Sequence, residues 1–341
     1  MQILSAKEFI KLGKSLPIVD VRSPGEFGDG HIPGAINIPI FSNEERSIVG
    51  TIYKSKGRLQ AIEKGLEIVG PKMAFFARHA SSLAKTNQLL VHCWRGGMRS
   101  ESMAWLFERL DIKCFILQGG YKSYRNYLLE ITGNIPHLIV IEGYTGSGKT
   151  EILQSLAKLG EQVIDLEKHA NHKGSVFGGI EQDPQPTTQQ FQNELLDVIV
   201  DFDLSKRVWI EGESQTVGRV FLPDPLWNRM NEAHNLEIFV PREARIRRLV
   251  TEYGSLSEEL MENAIISIAK RLGDLRMKEI LSFYREKKLD IVANKLLEYY
   301  DQTYQYSRDK YKKKLTEVIF PGDDPAANAE IILEKATQIF K

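Results

Sequence analysis

The sequence predicts an α/β protein of two domains, in which a parallel-sheet domain is followed by a second α/β domain with a helical C-terminal part. Three observations support this fold class: a length of 341 residues, apolar runs that alternate with helix-like stretches, and two loops that each connect a strand to a helix. A typical domain has about 100–200 residues, so the chain has room for two. Strands that alternate with helices favour parallel sheets.

The first predicted domain covers residues 1–130. Its apolar runs at 16–21, 89–92 and 114–117 have the length and composition of buried strands. Between the last two runs, Ser100 to Leu110 carries apolar residues at helical spacing. We therefore expect a strand–helix–strand unit in which Cys93 directly follows a strand.

The second predicted domain covers residues 131–341. A Gly- and Pro-containing stretch at 131–137 marks the boundary, and strand-like runs follow at 138–141, 162–166, 208–211 and 236–240. Helical patterns separate most of these runs, and the chain from about Ser255 onward is mostly helical and highly charged. The sequence therefore predicts an α/β fold for this half as well.

Composition excludes several classes of protein. A 42% hydrophobic and 26% charged chain is ordinary for a globular protein, and no apolar run reaches the ~18 residues that span a bilayer. The N-terminus lacks a signal-peptide pattern, and two cysteines cannot build a disulfide framework or a four-cysteine zinc site. We therefore expect a cytoplasmic protein with no membrane partner.

Charge is balanced overall but not between the halves. Residues 1–130 carry 18 basic and 12 acidic side chains, whereas residues 131–341 carry 27 and 33. A polyanion such as RNA would therefore meet local basic patches and not a uniformly basic surface. Charge alone neither supports nor excludes a nucleic-acid partner.

A glycine-rich loop at 143–150 has the Walker A spacing and lies between a predicted strand and a predicted helix. Such a loop turns backbone N–H groups toward an anion, and the following helix adds partial positive charge. Lys149 supplies a point charge, and Thr150 could hold Mg²⁺. No base-reading motif accompanies the loop, so a phosphate or diphosphate is predicted without a named nucleotide. The candidate phosphate-binding residues are Gly143, Gly146, Ser147, Gly148, Lys149 and Thr150.

A second loop, from Cys93 to Ser100, joins another strand to another helix. Its backbone N–H groups, Arg99 and the helix dipole are expected to stabilise the thiolate of Cys93, which makes this residue the candidate nucleophile. Cys114 lies inside a strand-like run and is expected to be a core residue. The Cys-x5-Arg-Ser spacing also fits protein tyrosine phosphatases. The remaining loop residues are Trp94, Arg95, Gly96, Gly97, Met98 and Ser100.

Two flanking segments resemble rhodanese domains. The stretch from Ile18 to Pro39 resembles their N-terminal signature, and 117–121, Leu-Gln-Gly-Gly-Tyr, is similar to the segment after their active loop. This resemblance implies that Cys93 carries sulfur or selenium, and that Asp20 and Arg22 support the loop. A surface ion pair or a strand cap is the alternative for these two residues.

The combination of both loops resembles the tRNA 2-selenouridine synthase family over nearly the whole chain. The loops 93–100 and 143–150 and the stretch 165–178 match the family's form. The resemblance implies that wobble 2-thiouridine of tRNA is S-geranylated with geranyl diphosphate, after which selenium from selenophosphate replaces the geranylthio group. It implies no tightly bound cofactor, although Mg²⁺ could assist, and a selenophosphate-supplying enzyme as a partner.

Further candidates surround the glycine-rich loop. Polar residues expected to contact substrate are Asp165, Glu167, His169, Asn171, His172, Glu211 and Glu213. Their spacing fits no standard zinc pattern, so no metal site is predicted there. A basic run is the candidate tRNA contact, with a solvated charged face as the alternative: Arg242, Arg245, Arg247 and Arg248.

Three other functions remain open from the sequence. A rhodanese-type sulfurtransferase with an attached kinase-like NTPase domain would transfer persulfide and turn over nucleotide. A cysteine-dependent phosphatase would hydrolyse aryl phosphates. A nucleotide-gated scaffold is disfavoured because both chemical motifs are intact.

Overall fold

The computed structural model describes residues 1–175, 177–254, 256–311 and 315–339. The chain forms two compact units, Met1–Glu130 (unit 1) and Ile131–Lys341 (unit 2). Each unit is built around its own five-stranded parallel sheet. The predicted α/β class with two parallel-sheet domains is therefore confirmed.

Unit 1 has the strand order β1-β5-β4-β2-β3. Its strands are β1 (Gln2–Leu4), β2 (Ile18–Asp20), β3 (Ile36–Asn37), β4 (Gln88–His92) and β5 (Lys113–Leu117). Its helices are α1 (Ala6–Gly13), α2 (Pro24–Asp29), α3 (Asn43–Lys56), α4 (Arg58–Val69), α5 (Met73–Leu83), α6 (Met98–Glu108) and α7 (Gly120–Gly133). The central strands are buried on both faces because helices cover the sheet, which explains their continuous apolar runs.

Local sequence determines where the first helices begin. Helices α1, α2 and α3 each start after a serine whose side chain accepts a hydrogen bond from the third helical residue. In each helix that third residue is a glutamate that reaches back to the serine N–H, which completes a capping box. These signals are local, so they act before any tertiary contact forms.

Unit 2 has the strand order β12-β11-β6-β8-β7. Its main strands are β6 (Leu138–Gly143), β7 (Gln162–Ile164), β8 (Val208–Glu211), β11 (His234–Phe239) and β12 (Leu315–Ile319), and β9 (Thr216–Val217) pairs with β10 (Val220–Phe221) in an antiparallel ribbon. Its helices are α8 (Lys149–Lys158), α9 (Leu166–Ala170), α10 (Thr188–Ile199), α11 (Asp224–Glu232), α12 (Arg242–Tyr253), α13 (Glu258–Ser267), α14 (Ala269–Leu272), α15 (Asp274–Arg285), α16 (Leu289–Tyr311) and α17 (Pro325–Ile339).

Two apolar layers sandwich the unit 2 sheet. Val140 and Ile210 pack on one face with Phe191 of α10, while Ile141 and Trp209 pack on the other face with α8 and α17. A third apolar cluster holds α12 to α16 together. Within the described ranges, no helix combines the length and apolar character that crossing a bilayer requires.

The central strands of both sheets lead into the two predicted loops. β4 ends at His92, immediately before Cys93, and β6 ends at Gly143, the first residue of the glycine-rich loop. In open parallel sheets, ligands bind beyond the carboxyl ends of the strands. Each unit therefore has one candidate site at the position that its topology favours.

Candidate active site

The thiol of Cys93 lies at the base of its loop and is 3% exposed. The Gly97 N–H donates to its sulfur at 3.5 Å, and the Ser100 hydroxyl lies 3.3 Å from the sulfur. Because α6 begins at Met98, the positive end of that helix also faces the sulfur. The Gly97 amide and the helix dipole therefore face the sulfur, while the Ser100 hydroxyl donates its proton to the Gly97 carbonyl at 3.0 Å.

A buried ion pair lies behind this loop. Arg22 and Asp20 are both fully buried, with Nη2 2.6 Å from Oδ2, and Nε donates to both carboxylate oxygens at 2.9–3.0 Å. The guanidinium also lies 3.8 Å from the ring centre of Tyr121, whose N–H donates to the Cys93 carbonyl at 2.8 Å. The pair is therefore not the surface ion pair of the alternative interpretation, and Tyr121 connects it to the loop.

Gly120 brings α7 against the cysteine loop through backbone contact. Its φ of +62° favours glycine, and a Cβ here would lie 2.3 Å from the Gly96 nitrogen and 2.5 Å from the Cys93 carbonyl oxygen. Only a residue without a side chain fits this approach. In the sequence, the Gly-Gly-Tyr segment at 119–121 is the feature that indicates this approach of α7 to the loop, and close packing is its physical reason.

Arg99 forms an ion pair with a carboxylate of another helix. Its guanidinium pairs with Glu26 of α2 at 2.8 Å, whereas the described hydrogen bonds of the Cys93 thiol involve only Gly97 and Ser100. Burial raises the pKa of the Glu26 carboxyl, but the hydrogen bond and charge of Arg99 outweigh burial and leave that pKa lowered. Arg99 therefore ties α6 to α2, and its contribution to a Cys93 thiolate stays a prediction.

The phosphate loop has the geometry of an anion cradle. Gly146 and Gly148 both have positive φ, and Lys149 Nζ donates to the Gly143 carbonyl at 3.2 Å. Ser147 is 2% exposed, and its hydroxyl has no hydrogen-bond partner among the described residues. A buried hydroxyl without a partner is costly in a folded protein, so its position in this loop points to a ligand.

Three carboxylates gather beside the loop on the Thr150 side. The Thr150 hydroxyl donates to Glu167 at 2.8 Å and lies 3.3 Å from Glu211, which accepts the Glu167 N–H at 2.7 Å. Burial, followed by the charge of Glu213, raises the pKa of Glu167 to about 7. Burial and the charge of Glu167 raise the pKa of Glu211 well above its usual range. Negative charge is therefore in excess here until a cation or proton compensates it.

This donor set fits Mg²⁺ only together with a ligand. Hydroxyl and carboxylate oxygens are the donors that Mg²⁺ prefers, and Thr150 stands beside two of them. Among the described residues, however, no group of three or more His, Cys, Asp or Glu side chains is arranged to hold a metal by itself. A Mg²⁺ ion here would therefore be held by Thr150, a carboxylate and the phosphate oxygens of a bound substrate.

The other predicted substrate residues of the 165–178 stretch have partners of their own, although the charge of Asp165 also contributes to the raised pKa values of Glu167 and Glu211. Asp165 caps α9, with its carboxylate accepting the Lys168 N–H at 2.9 Å. His169 lies 4.0 Å from Glu194, Asn171 donates to the Pro184 carbonyl at 3.1 Å, and His172 packs against Gly218. Gly174 does approach the carboxylates, since a Cβ there would lie 2.9 Å from Glu167 and 3.0 Å from Glu213. Val176 lies outside the described residues.

The basic run on α12 supports the phosphate loop. Arg245 is 5% exposed, donates to the Thr145 carbonyl at 2.9 Å and pairs with Asp301 at 2.5 Å. Arg248 donates to the Gly146 carbonyl at 2.9 Å and lies 3.5 Å from Glu151. A buried, paired guanidinium does not reach an RNA phosphate, so the prediction for Arg245 is corrected. The sequence missed this role because nothing local connects α12 to the loop.

The outer two arginines of the run are also paired. Arg242 lies 3.2 Å from Asp301, and Arg247 lies 3.4 Å from Asp323. Arg247 is nevertheless the most exposed of the four, with 67% of its side chain accessible. A tRNA contact through Arg247 and Arg242 stays a prediction.

These features define a class of protein: a rhodanese-like unit with a nucleophilic cysteine loop, followed by a unit with a phosphate loop. A family model described as "Rhodanese-like domain" matches residues 5–127, and one described as "tRNA 2-selenouridine synthase AAA domain" matches residues 136–337. The chain belongs to the tRNA 2-selenouridine synthase family, as its resemblance predicted.

Full-length relatives agree with this assignment. A tRNA 2-selenouridine synthase from Shewanella denitrificans is 32% identical over 96% of this chain and 97% of its own. One from Sulfurovum sp. is 33% identical over 90% of this chain and 92% of its own. Among solved structures, the N-terminal domain of a Clostridium difficile 630 protein described as ATP/GTP binding is 41% identical, covers 38% of this chain and 99% of that chain, and has a TM-score of 0.36.

Proposed function

We propose that this protein converts wobble 2-thiouridine of tRNA into 2-selenouridine by S-geranylation followed by replacement of sulfur with selenium. One observation carries the proposal: the same chain has a thiol buried at the base of one anion-binding loop and an unpartnered serine hydroxyl buried in another. The family of the chain supports tRNA as the substrate. The first loop serves selenium transfer, and the second loop serves diphosphate release.

The first step forms a carbon–sulfur bond. The sulfur of 2-thiouridine attacks C1 of geranyl diphosphate, the C–O electron pair leaves with the diphosphate, and the base loses its N3 proton. Negative charge then grows on the diphosphate, where the loop amides, the Ser147 hydroxyl and the Lys149 ammonium stabilise it. Bound Mg²⁺ would add further electrostatic stabilisation of the leaving group.

The second step replaces the alkylated sulfur. The selenium atom of selenophosphate attacks C2 of the base, the C–S bond breaks, and geranylthiolate leaves with the electron pair. Water then cleaves the Se–P bond and phosphate departs, so no oxidant is required. The Cys93 loop supports this step because its amides suit a tetrahedral anion and its thiol lies at the base of the cradle. We assign to the Cys93 thiol the role of holding selenophosphate in this cradle through a hydrogen bond, with no covalent bond between the protein and selenium.

The test is an in vitro reaction with geranyl diphosphate, selenophosphate and tRNA that contains 2-thiouridine, followed by mass spectrometry of the nucleosides. Lys149→Ala is expected to abolish geranylation. Cys93→Ala is expected to keep geranylation but lose selenouridine, so that S-geranyl-2-thiouridine accumulates. Cys114→Ala, which removes the other thiol from the core of unit 1, is the control that keeps both steps.

Three results would contradict the proposal. If Cys93→Ala still formed selenouridine, the thiol would not be required. If Lys149→Ala still geranylated the tRNA normally, the assignment of the diphosphate to the phosphate loop would be wrong. Persulfide transfer with nucleotide turnover, and no change in the nucleoside, would favour the sulfurtransferase alternative. The proposal includes a cytoplasmic setting in which another enzyme supplies selenophosphate.

A further inference from the structure

Two exposed cations lie at the mouth of the Cys93 loop. Arg95 comes two residues after the nucleophile, and the N–H of Lys122, in the first turn of α7, donates to the Trp94 carbonyl at 3.0 Å. Both side chains are exposed, and neither forms an ion pair or hydrogen bond with any part of the chain that the structure describes. We name Trp94, Arg95, Met98 and Lys122 the loop rim.

Both cations stand where the fold disfavours them. Arg95 precedes α6 by three residues and Lys122 lies in the first turn of α7, so each is near the positive end of a helix. A cation at a helix N-terminus is destabilising, and no described carboxylate compensates for it here. The two helix ends and two cations together attract an anion beside the Cys93 loop.

The four arginines of α12 show the contrast. Each of them has a carboxylate partner within 3.5 Å. A paired guanidinium must break its ion pair before it can bind a phosphate, whereas Arg95 and Lys122 have no described ion pair to break. The rim also presents apolar surface for a base, because Met98 is 43% exposed and Trp94 is half-buried.

We propose that the loop rim is the RNA-docking surface of unit 1. Arg95 and Lys122 bind anticodon-loop phosphates, and the Trp94 ring and Met98 thioether receive the unstacked wobble base above Cys93. Sequence-specific RNA recognition usually takes single-stranded bases onto such surfaces while cations hold the backbone. This inference rests on the proposed function for its choice of RNA as the polyanion.

The test measures binding of an anticodon stem-loop that contains 2-thiouridine, over a series of salt concentrations. The double variant Arg95→Gln/Lys122→Gln is expected to bind about 10-fold more weakly at 0.1 M salt, with a log–log salt slope smaller by about 1–1.5. Lys54→Gln/Lys56→Gln, at the exposed end of α3, makes the same charge change away from the rim and should stay within about 2-fold. Arg95→Lys/Lys122→Arg keeps both charges and should retain the affinity.

Several outcomes would overturn the inference. Equal losses of RNA affinity in the rim and α3 variants would indicate general charge attraction. Unchanged affinity in the rim variant would contradict the docking role. A raised KM for selenophosphate with unchanged RNA affinity would make the rim a small-anion site. Equal thermal unfolding midpoints would show that the variants fold. Failure of the proposed function is separate, because it would appear as wild-type protein that binds the stem-loop and leaves its nucleoside unchanged.

Discussion

The Cys93 loop and the phosphate loop share a strand–loop–helix design but are held in different ways. The first is fixed by close packing, with the Gly120 backbone against it and the fully buried pair of Asp20 and Arg22 behind it. The second is held by long side chains, since Arg245 and Arg248 donate to its carbonyl groups. Under the proposed function, the first loop must hold the selenium donor in one fixed position, whereas the second loop binds a diphosphate by charge.

The two loops also differ in the charges that surround them. The Cys93 sulfur is contacted by an amide and a hydroxyl, both neutral. Beside Thr150, by contrast, burial and mutual repulsion raise the pKa values of Glu167 and Glu211. The described partners of the Cys93 sulfur are therefore uncharged, while the second site has charge that a ligand, a cation or a proton must balance.

The largest expected effect is on the packing of the first loop. Gly120→Ala would place a methyl group 2.3 Å from the Gly96 nitrogen, at a φ that already disfavours alanine. We expect a loss of about 3 kcal/mol or more in the free energy of unfolding, together with loss of selenation. Urea unfolding and the nucleoside assay measure both quantities.

The control for this variant lies in the same unit. Gly34 also has a positive φ, of +76°, but a Cβ there would have no neighbour within 4 Å. Gly34→Ala should therefore cost only the backbone strain, about 1 kcal/mol, and keep selenation. Equal losses in the two variants would show that close packing does not hold the Cys93 loop.

An intermediate effect is expected where side chains hold the second loop. Arg248→Gln removes the charged donor to the Gly146 carbonyl, so the loop amides lose part of their preorganisation. We expect geranylation to fall about 10-fold, mainly through weaker binding of geranyl diphosphate, since a hydrogen bond from a charged group is worth about 1.5–3 kcal/mol. Titration of the geranylation rate with geranyl diphosphate measures the change.

Arg247→Gln is the matched control for this effect, one residue away on α12. Its side chain is 67% exposed and contacts Asp323 and not the loop. We expect its geranyl diphosphate dependence to stay within about 2-fold of the wild type. If Arg248→Gln behaved in the same way, the loop would not depend on α12 for its shape.

A further expected effect concerns pH. A glutamate whose pKa rises to about 7 on folding stabilises the fold fully at low pH, and this contribution is lost as pH rises from about 4.5 to 7. The stability of unit 2 should therefore fall over this range, by an amount on the order of 1–3 kcal/mol. Glu167→Gln cannot ionise and should flatten the profile, as measured by urea unfolding at pH 5 and pH 8.

The exposed Glu334 on α17 provides the control for this profile. Glu334→Gln makes the same chemical change without touching the carboxylate cluster and should reproduce the wild-type dependence. If Glu167→Gln also kept the wild-type profile, crowding of carboxylates beside Thr150 would not be the source of the pH effect.

Prediction from the sequence worked best where structure follows local pattern. The strands before both loops carry uninterrupted apolar runs, so the residues after them could be assigned to sheet ends. The sequence does not predict the edge strands β1, β3 and β12, because β1 and β3 have only three and two residues and β12 is partly exposed. Leu315–Ile319 becomes a strand only by pairing in parallel with β11. No local pattern predicts this pairing, because the region is charged and mostly helical.

The two α/β domains, the cysteine and phosphate loops and the family can all be predicted from the amino-acid sequence, because glycines, capping boxes and apolar runs act over a few residues. The partners of the charged groups become visible when the chain is folded. Arg99 pairs with Glu26, 73 positions away, and Arg248 reaches Gly146, 102 positions away. Long-range pairing depends on which helices pack together, and so Arg245 and Arg248, two of the four candidate RNA contacts, hold the phosphate loop.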